Sequence, residues 1–273
     1  MNAITAFSTH AAGRAFDTLA KDYDRVFTRS LIGRSQRDAV WDEITRTFKP
    51  GDRILELNCG TGEDALFLSR LGMSILACDA SRDMIAVAKR RQSDEAPHSD
   101  ARFEVLPTEN LCDLDPSQHF DGVLSNFAGL NCLDDLAEFA RQLAGLVKPG
   151  GCALLCLCSR FCFWEVAWFL MHGKPSTAFR RCRGIATAEL NGVSVRVHYP
   201  TVRTIRAAMR PWFVLRSCKG IGVSVPPSYV EHWAQRHRSA LHLMCSVDRV
   251  ISRWPWLRVL GDHVLLSMER TQA

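Results

Sequence analysis

Short apolar runs alternate, through the first 160 residues, with segments whose apolar positions recur every three or four residues. Continuous apolar runs are typical of strands buried on both faces, and the three-to-four spacing is typical of helices. The runs predict strands at 53–57, 74–79, 101–106, around 123–125 and at 152–158. The periodic segments predict helices at 35–48, 63–71, 81–91 and 133–147. This alternation predicts an α/β fold with a doubly wound parallel sheet.

The pattern changes after residue 159, where apolar and basic residues mix. A very apolar helix is predicted at 161–172, and Asn191-Gly192 between two alternating runs predicts a β-hairpin. Ser228 and Glu231 have capping-box spacing and predict the start of a long helix that ends near Trp254. Two insertions, 160–200 and 220–260, are therefore expected to form a helix-and-hairpin cap near a substrate entrance.

The charge of the chain is divided unevenly between its two halves. The net charge is +5, but residues 1–159 carry −6 and residues 160–273 carry +11. Such a split indicates an anionic partner for the second half, which could be a small molecule, an acidic membrane surface or nucleic acid. A basic surface that is only solvated is the other interpretation.

Several classes of protein are disfavoured by the composition. No secretory signal opens the chain, and the longest apolar run, 161–171, is shorter than the roughly 20 residues that a membrane span needs. Eleven cysteines without regular spacing indicate free thiols in a reducing compartment. Cys156, Cys158 and Cys162 cluster, but their spacing fits no common zinc site. We therefore predict a cytoplasmic protein without a metal.

The candidate chemistry lies in residues 54–64, where a buried strand runs into a glycine-rich turn and a helix start. Asp79 ends the next strand, and this arrangement holds an adenosine-containing cofactor at the edge of a parallel sheet. Glu63 and Asp64 occupy the first turn of the helix, where they would repel the pyrophosphate of a dinucleotide. S-adenosylmethionine has no phosphate, and Glu56 could attract its cationic methionine end. Charge therefore favours S-adenosylmethionine over a dinucleotide.

Four segments resemble, in order, the motifs of class I S-adenosylmethionine-dependent methyltransferases. They are Glu56-Leu57-Asn58-Cys59-Gly60-Thr61-Gly62, Cys78-Asp79-Ala80-Ser81, Phe120-Asp121-Gly122-Val123-Leu124-Ser125-Asn126 and Leu146-Val147-Lys148-Pro149-Gly150-Gly151. The resemblance covers about residues 17–159 and departs from the family at Asn58, which replaces the first glycine. It implies a single domain, 1–273, with a Rossmann-like, seven-stranded, mostly parallel sheet that has a last antiparallel strand. An N-terminal helical segment, 1–50, would precede the cofactor-binding core, 51–159.

The resemblance also implies where the cofactor binds. The residues expected to contact S-adenosylmethionine are Tyr23, Glu56, Asn58, Gly60, Gly62, Asp79, Ala80, Met84, Thr108, Glu109, Asn126 and Phe127. Within this set, Glu56 and the two glycines would surround the methionine portion. Asp79 would accept hydrogen bonds from the ribose hydroxyls, because a carboxylate can accept from two neighbouring hydroxyls.

Catalytic residues are harder to recognise, because methyl transfer mainly requires alignment and exclusion of water. A general base is needed only where the nucleophile is protonated. Its candidates are His198, Tyr199, His232, His172 and Glu165.

The sequence thus predicts an enzyme that methylates an oxygen or nitrogen of a small, amphipathic, anionic acceptor. An RNA or protein methyltransferase using the basic half, and a cofactor-binding scaffold without transferase activity, are the alternatives. No nucleic-acid-binding module is recognisable. A peripheral membrane contact and the oligomeric state are left open.

Overall fold

A seven-stranded sheet forms the centre of the computed structural model, which describes residues 3–272, with side chains from residue 12 onward. The strands of the chain are β1 Arg53–Leu57, β2 Ser74–Asp79, β3 Ala101–Val105, β4 Phe120–Ser125, β5 Val147–Cys158, β6 Ile185–Leu190, β7 Val193–His198, β8 Phe213–Ile221 and β9 His263–Arg270. Their order in the sheet is β3-β2-β1-β4-β5-β9-β8, and β6 and β7 form a separate hairpin. β9 is antiparallel to both of its neighbours, whereas β1 to β5 pair in parallel. The predicted fold class is confirmed.

Helices cover both faces of this sheet. They are α1 Ala3–Tyr23, α2 Leu31–Thr47, α3 Glu63–Arg70, α4 Arg82–Glu95, α5 Leu136–Leu146, α6 Phe163–Met171, α7 Pro175–Ala178, α8 Val202–Met209, α9 Glu231–Arg236 and α10 Arg238–Ile251. Polar side chains set several of their starts, since the Ser30 and Ser81 hydroxyls accept hydrogen bonds from backbone N–H groups of α2 and α4. Asp135 does the same for α5.

Two apolar cores lie on opposite faces of the sheet, because neighbouring residues of a strand point in opposite directions. On β1, Leu55 and Leu57 pack into one core with Leu143 of α5. Ile54 points to the other core, which contains Ile44 of α2. The side chains of Ile54, Leu55 and Leu57 on β1 and of Ile44 on α2 are almost completely buried. This two-sided burial explains the continuous apolar runs of the sequence.

The predicted single helix from Ser228 to Trp254 is wrong. The segment divides into a short 3₁₀ turn, α9 and α10, because His237 leaves the helical conformation with φ −125° and ψ 51°. The predicted capping box is also wrong, since the carboxylate of Glu231 accepts from the N–H groups of Leu31 and Ile32, 2.8 and 3.0 Å away. Glu231 therefore caps the distant helix α2 and ties the second insertion to the N-terminal segment.

The first insertion reaches the N-terminal helix, and the cap that the two insertions were expected to form stays a prediction. Asn191 at the tip of the hairpin donates to the hydroxyl of Thr18 on α1. Whether they contact a substrate stays a prediction. Among residues 3–272, no helix combines the length and apolar character needed to cross a bilayer.

Candidate active site

Most of the predicted cofactor residues meet at one cavity at the carboxyl ends of β1, β2 and β4, which we call the cofactor cavity. The strand order reverses between β1 and β4, and ligands of open α/β sheets bind at such a switch point. Ten of the twelve predicted residues line it, namely Tyr23, Asn58, Gly60, Asp79, Ala80, Met84, Thr108, Glu109, Asn126 and Phe127.

Asn58, where the family has glycine, keeps the left-handed backbone of the turn with φ +56°. Asparagine tolerates this region better than most residues. Its side chain donates to the Ser125 hydroxyl, 3.2 Å away, and accepts from the Thr108 hydroxyl, 3.1 Å away. The chain at Gly129 passes so close that a Cβ there would lie 2.2 Å from the Asn58 side chain. The substitution is therefore accommodated, and it links β1, β4 and the segment after β3.

Asp79 at the end of β2 holds the glycine-rich turn in place. Its Oδ2 accepts from the N–H of Gly60, 2.9 Å away, and its Oδ1 accepts from the N–H of Ser81, 2.8 Å away. Burial raises the pKa of the Asp79 carboxyl, and these two hydrogen bonds oppose that effect. Each oxygen keeps a lone pair for a further donor, because a carboxylate oxygen accepts about two hydrogen bonds.

Gly62 and Glu56, the other two predicted residues, do not line the cavity. A Cβ on Gly62 would lie 2.9 Å from Ala88 and Phe103, and its φ is +79°, so this glycine permits tight packing of the turn. The Glu56 side chain is 1% exposed. Burial, together with the nearby Asp64, raises the pKa of Glu56 well above its ordinary value, although Arg37 opposes the shift.

The N-terminal segment contributes several side chains to the lining of the cavity. Gly13, Phe16 and Tyr23 of α1 line it, and burial raises the pKa of Tyr23 to about 12. Arg37 of α2 also lines it, and this residue was missed in the sequence. Its position within an ordinary amphipathic helix gave no signal that its side chain is only 5% exposed.

The two carboxylates that were expected to repel a pyrophosphate are both paired with arginines. Asp64 lies 2.6 Å from Arg37, and Glu63 lies 3.2 Å from Arg34 and 2.7 Å from Arg91. Their charge is therefore largely compensated within the protein, and the electrostatic argument against a dinucleotide is weaker than the sequence indicated.

A second cavity of about 360 Å³, which we call the acceptor cavity, adjoins the first. Its volume falls within the range of small-molecule sites. Tyr23 and Phe127 line both cavities and form their common wall. The rest of its lining combines aromatic and apolar side chains with a few charged ones, including Val26, Phe27, Glu165, Arg180, Arg181, Tyr229, Asp262 and His263.

Glu165, Arg180, Arg181 and Asp262 of the acceptor cavity form one network, whereas Asp22 at the same cavity is exposed and pairs with Arg25. Arg181 donates to the Glu165 carboxylate and to Asp262, both within 2.8 Å at the closest approach. Arg180, with a side chain 40% exposed, donates to Glu165 through Nε and Nη2. These arginines therefore compensate carboxylates of the same network, and Arg180 lies at its outer side.

His263, the first residue of β9, was missed as a candidate base. Its side chain packs edge-on against Phe127, with ring centroids 5.5 Å apart. It is 7% exposed, and its Nδ1 has no hydrogen-bond partner among the described residues, with Oδ2 of Asp262 3.6 Å away. Burial lowers the pKa of His263 below 6.5, although Asp262 opposes the shift. A neutral imidazole thus lies beside the wall that separates the two cavities.

The candidate bases predicted from the sequence lie elsewhere, with one exception. His198 and Tyr199 line a third cavity, where Nε2 of His198 lies 2.8 Å from Asp134. His172 and His232 are exposed and line none of these three cavities. Glu165 lines the acceptor cavity, but two arginines bind its carboxylate. Among the side chains of residues 12–272, no three metal-ligating groups are arranged around a common centre.

Residues 54–151 match the family model of a methyltransferase domain. This segment contains β1 to the start of β5 and the glycine-rich turn. Residues 54–151 are therefore a methyltransferase domain, and the matches support the class I S-adenosylmethionine-dependent family. The predictions of family, enzyme class and cofactor are thereby confirmed at the level of the family.

Known proteins similar to this chain include methyltransferases in sequence and several proteins of the same fold in structure. A demethylmenaquinone methyltransferase of Corynebacterium glutamicum is 30% identical over 139 residues, which are 50% of this chain and 54% of that protein. The chain spans from about half to about two thirds of the length of the curated relatives it matches. Among solved structures, the [4+2]-cyclase SpnF aligns with TM-score 0.64 at 14% identity, covering 97% of both chains. A DhpI–SAH complex aligns with TM-score 0.62 at 15% identity over 100% of both.

The residues of the cofactor cavity fit S-adenosylmethionine. Nε of Arg37, which lines the cavity, and Oε2 of Glu56, which is not part of its lining, are buried and have no hydrogen-bond partner among the residues that the structure describes. Buried polar groups normally find partners, so this donor and this acceptor are suited to a ligand. A methionine portion supplies both complements, a carboxylate and an ammonium group. The remaining lone pairs of the Asp79 carboxylate could accept hydrogen bonds from the hydroxyls of a ribose.

Proposed function

We propose that this methyltransferase binds S-adenosylmethionine in the cofactor cavity and methylates an oxygen or nitrogen of a small acceptor in the acceptor cavity. The observation that carries this proposal is the common wall of Tyr23 and Phe127. Arg37 lines the cofactor cavity beside this wall, with its guanidinium 5.0 Å from the centroid of the Phe127 ring.

The bound cofactor would supply an electrophilic methyl group on a sulfonium, which leaves as a neutral thioether. The protein residues would hold the reactants in line and exclude water, which are the main requirements of such a displacement. Asp79 would orient the ribose, and Glu56 and Arg37 would fix the amino-acid end. Phe127 and Tyr23, both apolar on their ring faces, would keep water from the transfer path.

The lining of the acceptor cavity favours a mainly apolar acceptor with a hydroxyl or amine. Phe27, Phe127 and Tyr229 offer aromatic surfaces to its body. Neutral His263 would take the proton of a hydroxyl nucleophile at a ring nitrogen. Arg180 uses Nε and Nη2 on Glu165, so its Nη1 group is suited to an anionic group at the rim. The relationship to a demethylmenaquinone methyltransferase supports a small apolar acceptor.

One observation disfavours the RNA methyltransferase, and another supports a protein without transferase activity. Two arginines of the basic half pair with carboxylates of the first half, Arg253 with Glu43 and Arg196 with Asp134. This internal compensation disfavours a basic footprint for RNA. A protein without transferase activity has more support, because the SpnF structure shows that the fold occurs in a protein described as a cyclase, and a fold does not fix function.

The test is transfer of a labelled methyl group from S-adenosylmethionine to a panel of acceptors. The panel contains apolar phenols and amines, each with and without a carboxylate, together with bulk RNA and a denatured protein mixture. We expect labelling of the apolar small molecules. Labelling of RNA or protein alone would support the corresponding alternative, and cofactor binding without labelling of any acceptor would support the scaffold.

A further inference from the structure

Helix α10 carries an apolar stripe that faces away from the protein. Leu243, Val247, Val250 and Trp254 are 66, 39, 64 and 56% exposed. The spacing of four and three residues places Leu243, Val247 and Val250 on one face of the helix, and Trp254 lies three residues beyond its end at Ile251. Trp256, just beyond the helix, is 86% exposed and continues this face into the next loop. We call these five residues the α10 surface.

Packing within the protein does not explain this stripe. The opposite side of α10 attaches the helix, because Leu241 is buried in a small apolar cluster and Asp248 is 9% exposed. The Asp248 carboxylate accepts from the backbone N–H groups of Val223 and Ser224, 3.2 and 2.6 Å away. The helix is thus held by its inner face, and the outer face is left with apolar side chains in water.

The segment that carries the α10 surface is rich in arginine. Residues 232–261 contain five arginines and one acidic residue, Asp248, whose carboxylate is buried and hydrogen-bonded. Of these arginines, Arg253 pairs with Glu43, and Arg249 lines a cavity together with Asp38 and Asp42 of α2. Arg236, Arg238 and Arg249 are exposed on α9 and α10. A helix that combines exposed tryptophan, leucine and valine with arginine has the composition of helices that lie in the plane of a lipid interface. Tryptophan is enriched at that depth of the bilayer.

We propose that the α10 surface docks this protein on an anionic lipid membrane. Apolar side chains would enter the boundary between headgroups and acyl chains, and the surrounding arginines would contact anionic headgroups. A second copy of the chain fits this face less well. A two-fold interface brings the same patch of both copies together, which would place like-charged arginines against each other. The proposal concerns binding to lipid and is independent of which acceptor is methylated.

The experiment is co-sedimentation of the full chain with vesicles of phosphatidylcholine alone, or of phosphatidylcholine and phosphatidylglycerol in equal amounts. We expect binding to the anionic vesicles only. Val250→Asp places a charge in the centre of the surface and should weaken binding about ten-fold. Arg249→Gln should weaken it about five-fold, since each basic residue near an anionic membrane contributes on the order of a five-fold factor.

Matched controls lie outside the surface. Ile185→Asp changes a residue 53% exposed on the hairpin, and Arg203→Gln changes an exposed arginine on α8, so both should leave vesicle binding unchanged. Thermal unfolding of each variant checks that it folds. Absence of binding to anionic vesicles, or equal binding to both kinds, would overturn the proposal. Self-association that Val250→Asp abolishes, without vesicle binding, would assign the face to a second copy instead.

Discussion

Arg37 and Asp64 form a buried ion pair, with Nη1 of the arginine 2.6 Å from Oδ2 of the aspartate and both side chains about 5% exposed. The pair joins α2 to the first turn of α3. Trp41 donates to Oδ1 of Asp64, 2.6 Å away, and Asn126 donates to Oδ2, 2.9 Å away. The Arg37 guanidinium also lies 5.0 Å from the centroid of the Phe127 ring. One interaction therefore positions both the N-terminal segment and the wall between the two cavities.

Breaking this pair should destabilise the protein strongly. Arg37→Met leaves the Asp64 carboxylate buried without its counter-charge, which costs about 3–5 kcal/mol of unfolding free energy. Urea unfolding measures the change, and Asp64→Asn added to Arg37→Met should restore part of the loss.

Arg34 provides the control for this prediction. Its side chain is 48% exposed and pairs with Asp38 and Glu63, so Arg34→Met should cost no more than about 1 kcal/mol. Equal costs for the two arginines would show that the burial of Arg37 has no special consequence.

Asp79 should decide cofactor affinity. Asp79→Asn keeps the size of the side chain but removes the charge and one acceptor, and hydrogen bonds to a charged group contribute about 1.5–3 kcal/mol. We expect S-adenosylmethionine affinity, measured by calorimetry, to fall by one to two orders of magnitude (about 10- to 100-fold). Asp94→Asn, an exposed change on α4, serves as the control and should have no effect. Tighter binding of NAD than of S-adenosylmethionine by the wild type would contradict the cofactor assignment.

Glu56 should lower the free energy of unfolding of the cofactor-free protein at neutral pH, although its carboxylate would help to bind the cofactor. Burial raises the pKa of Glu56 well above 4.5, so the folded protein keeps a proton that the unfolded chain releases. Stability contributed by this group is therefore present below pH 4.5 and is lost as the pH rises above it. Glu56→Gln should match the wild type near pH 4 and be more stable by at least about 1 kcal/mol at pH 7.

The same Glu56→Gln variant should bind S-adenosylmethionine about ten-fold more weakly, because a bound ammonium group would favour release of the Glu56 proton and create a charged acceptor, which an amide cannot provide. Unfolding curves at several pH values and calorimetry separate the two effects. Glu104→Gln, on the exposed side of β3, should change neither. A loss of stability at pH 7 in Glu56→Gln would show that the carboxylate has a favourable partner in the free protein.

The sequence predicts those parts of this molecule that depend on neighbours along the chain. The bounds of β2 and the place of Asp79 at its end follow from a buried run that stops at a carboxylate. Arg37 and His263 could not be found in this way, because their roles depend on contacts with Asp64 and Phe127, which are distant in the chain. Glu231 shows the same limit, since its spacing predicts a local cap and its carboxylate caps a helix 200 residues away.

His263 should be the proton acceptor if the acceptor molecule reacts through a hydroxyl group. Burial lowers the pKa of His263 below 6.5, so the imidazole is neutral at pH 7 and becomes protonated only at more acid pH. The turnover of a hydroxyl acceptor should therefore be constant above about pH 7 and fall on the acid side. His263→Asn should lower kcat by about 10²- to 10⁴-fold, leave KM within a few-fold, and remove the acid limb of the profile.

His198 and His232 allow the alternatives to be compared directly with this prediction. His198 pairs with Asp134 and lines a different cavity. Leu133 lines both this cavity and the cofactor cavity. His232 is exposed on α9. The variants His198→Asn and His232→Asn should retain both kcat and the acid limb. If His198→Asn removes the limb and His263→Asn does not, the acceptor binds in the cavity lined by His198 and Tyr199. The wall of Tyr23 and Phe127 would then only enclose the cofactor, and methyl transfer would occur on the side of Leu133.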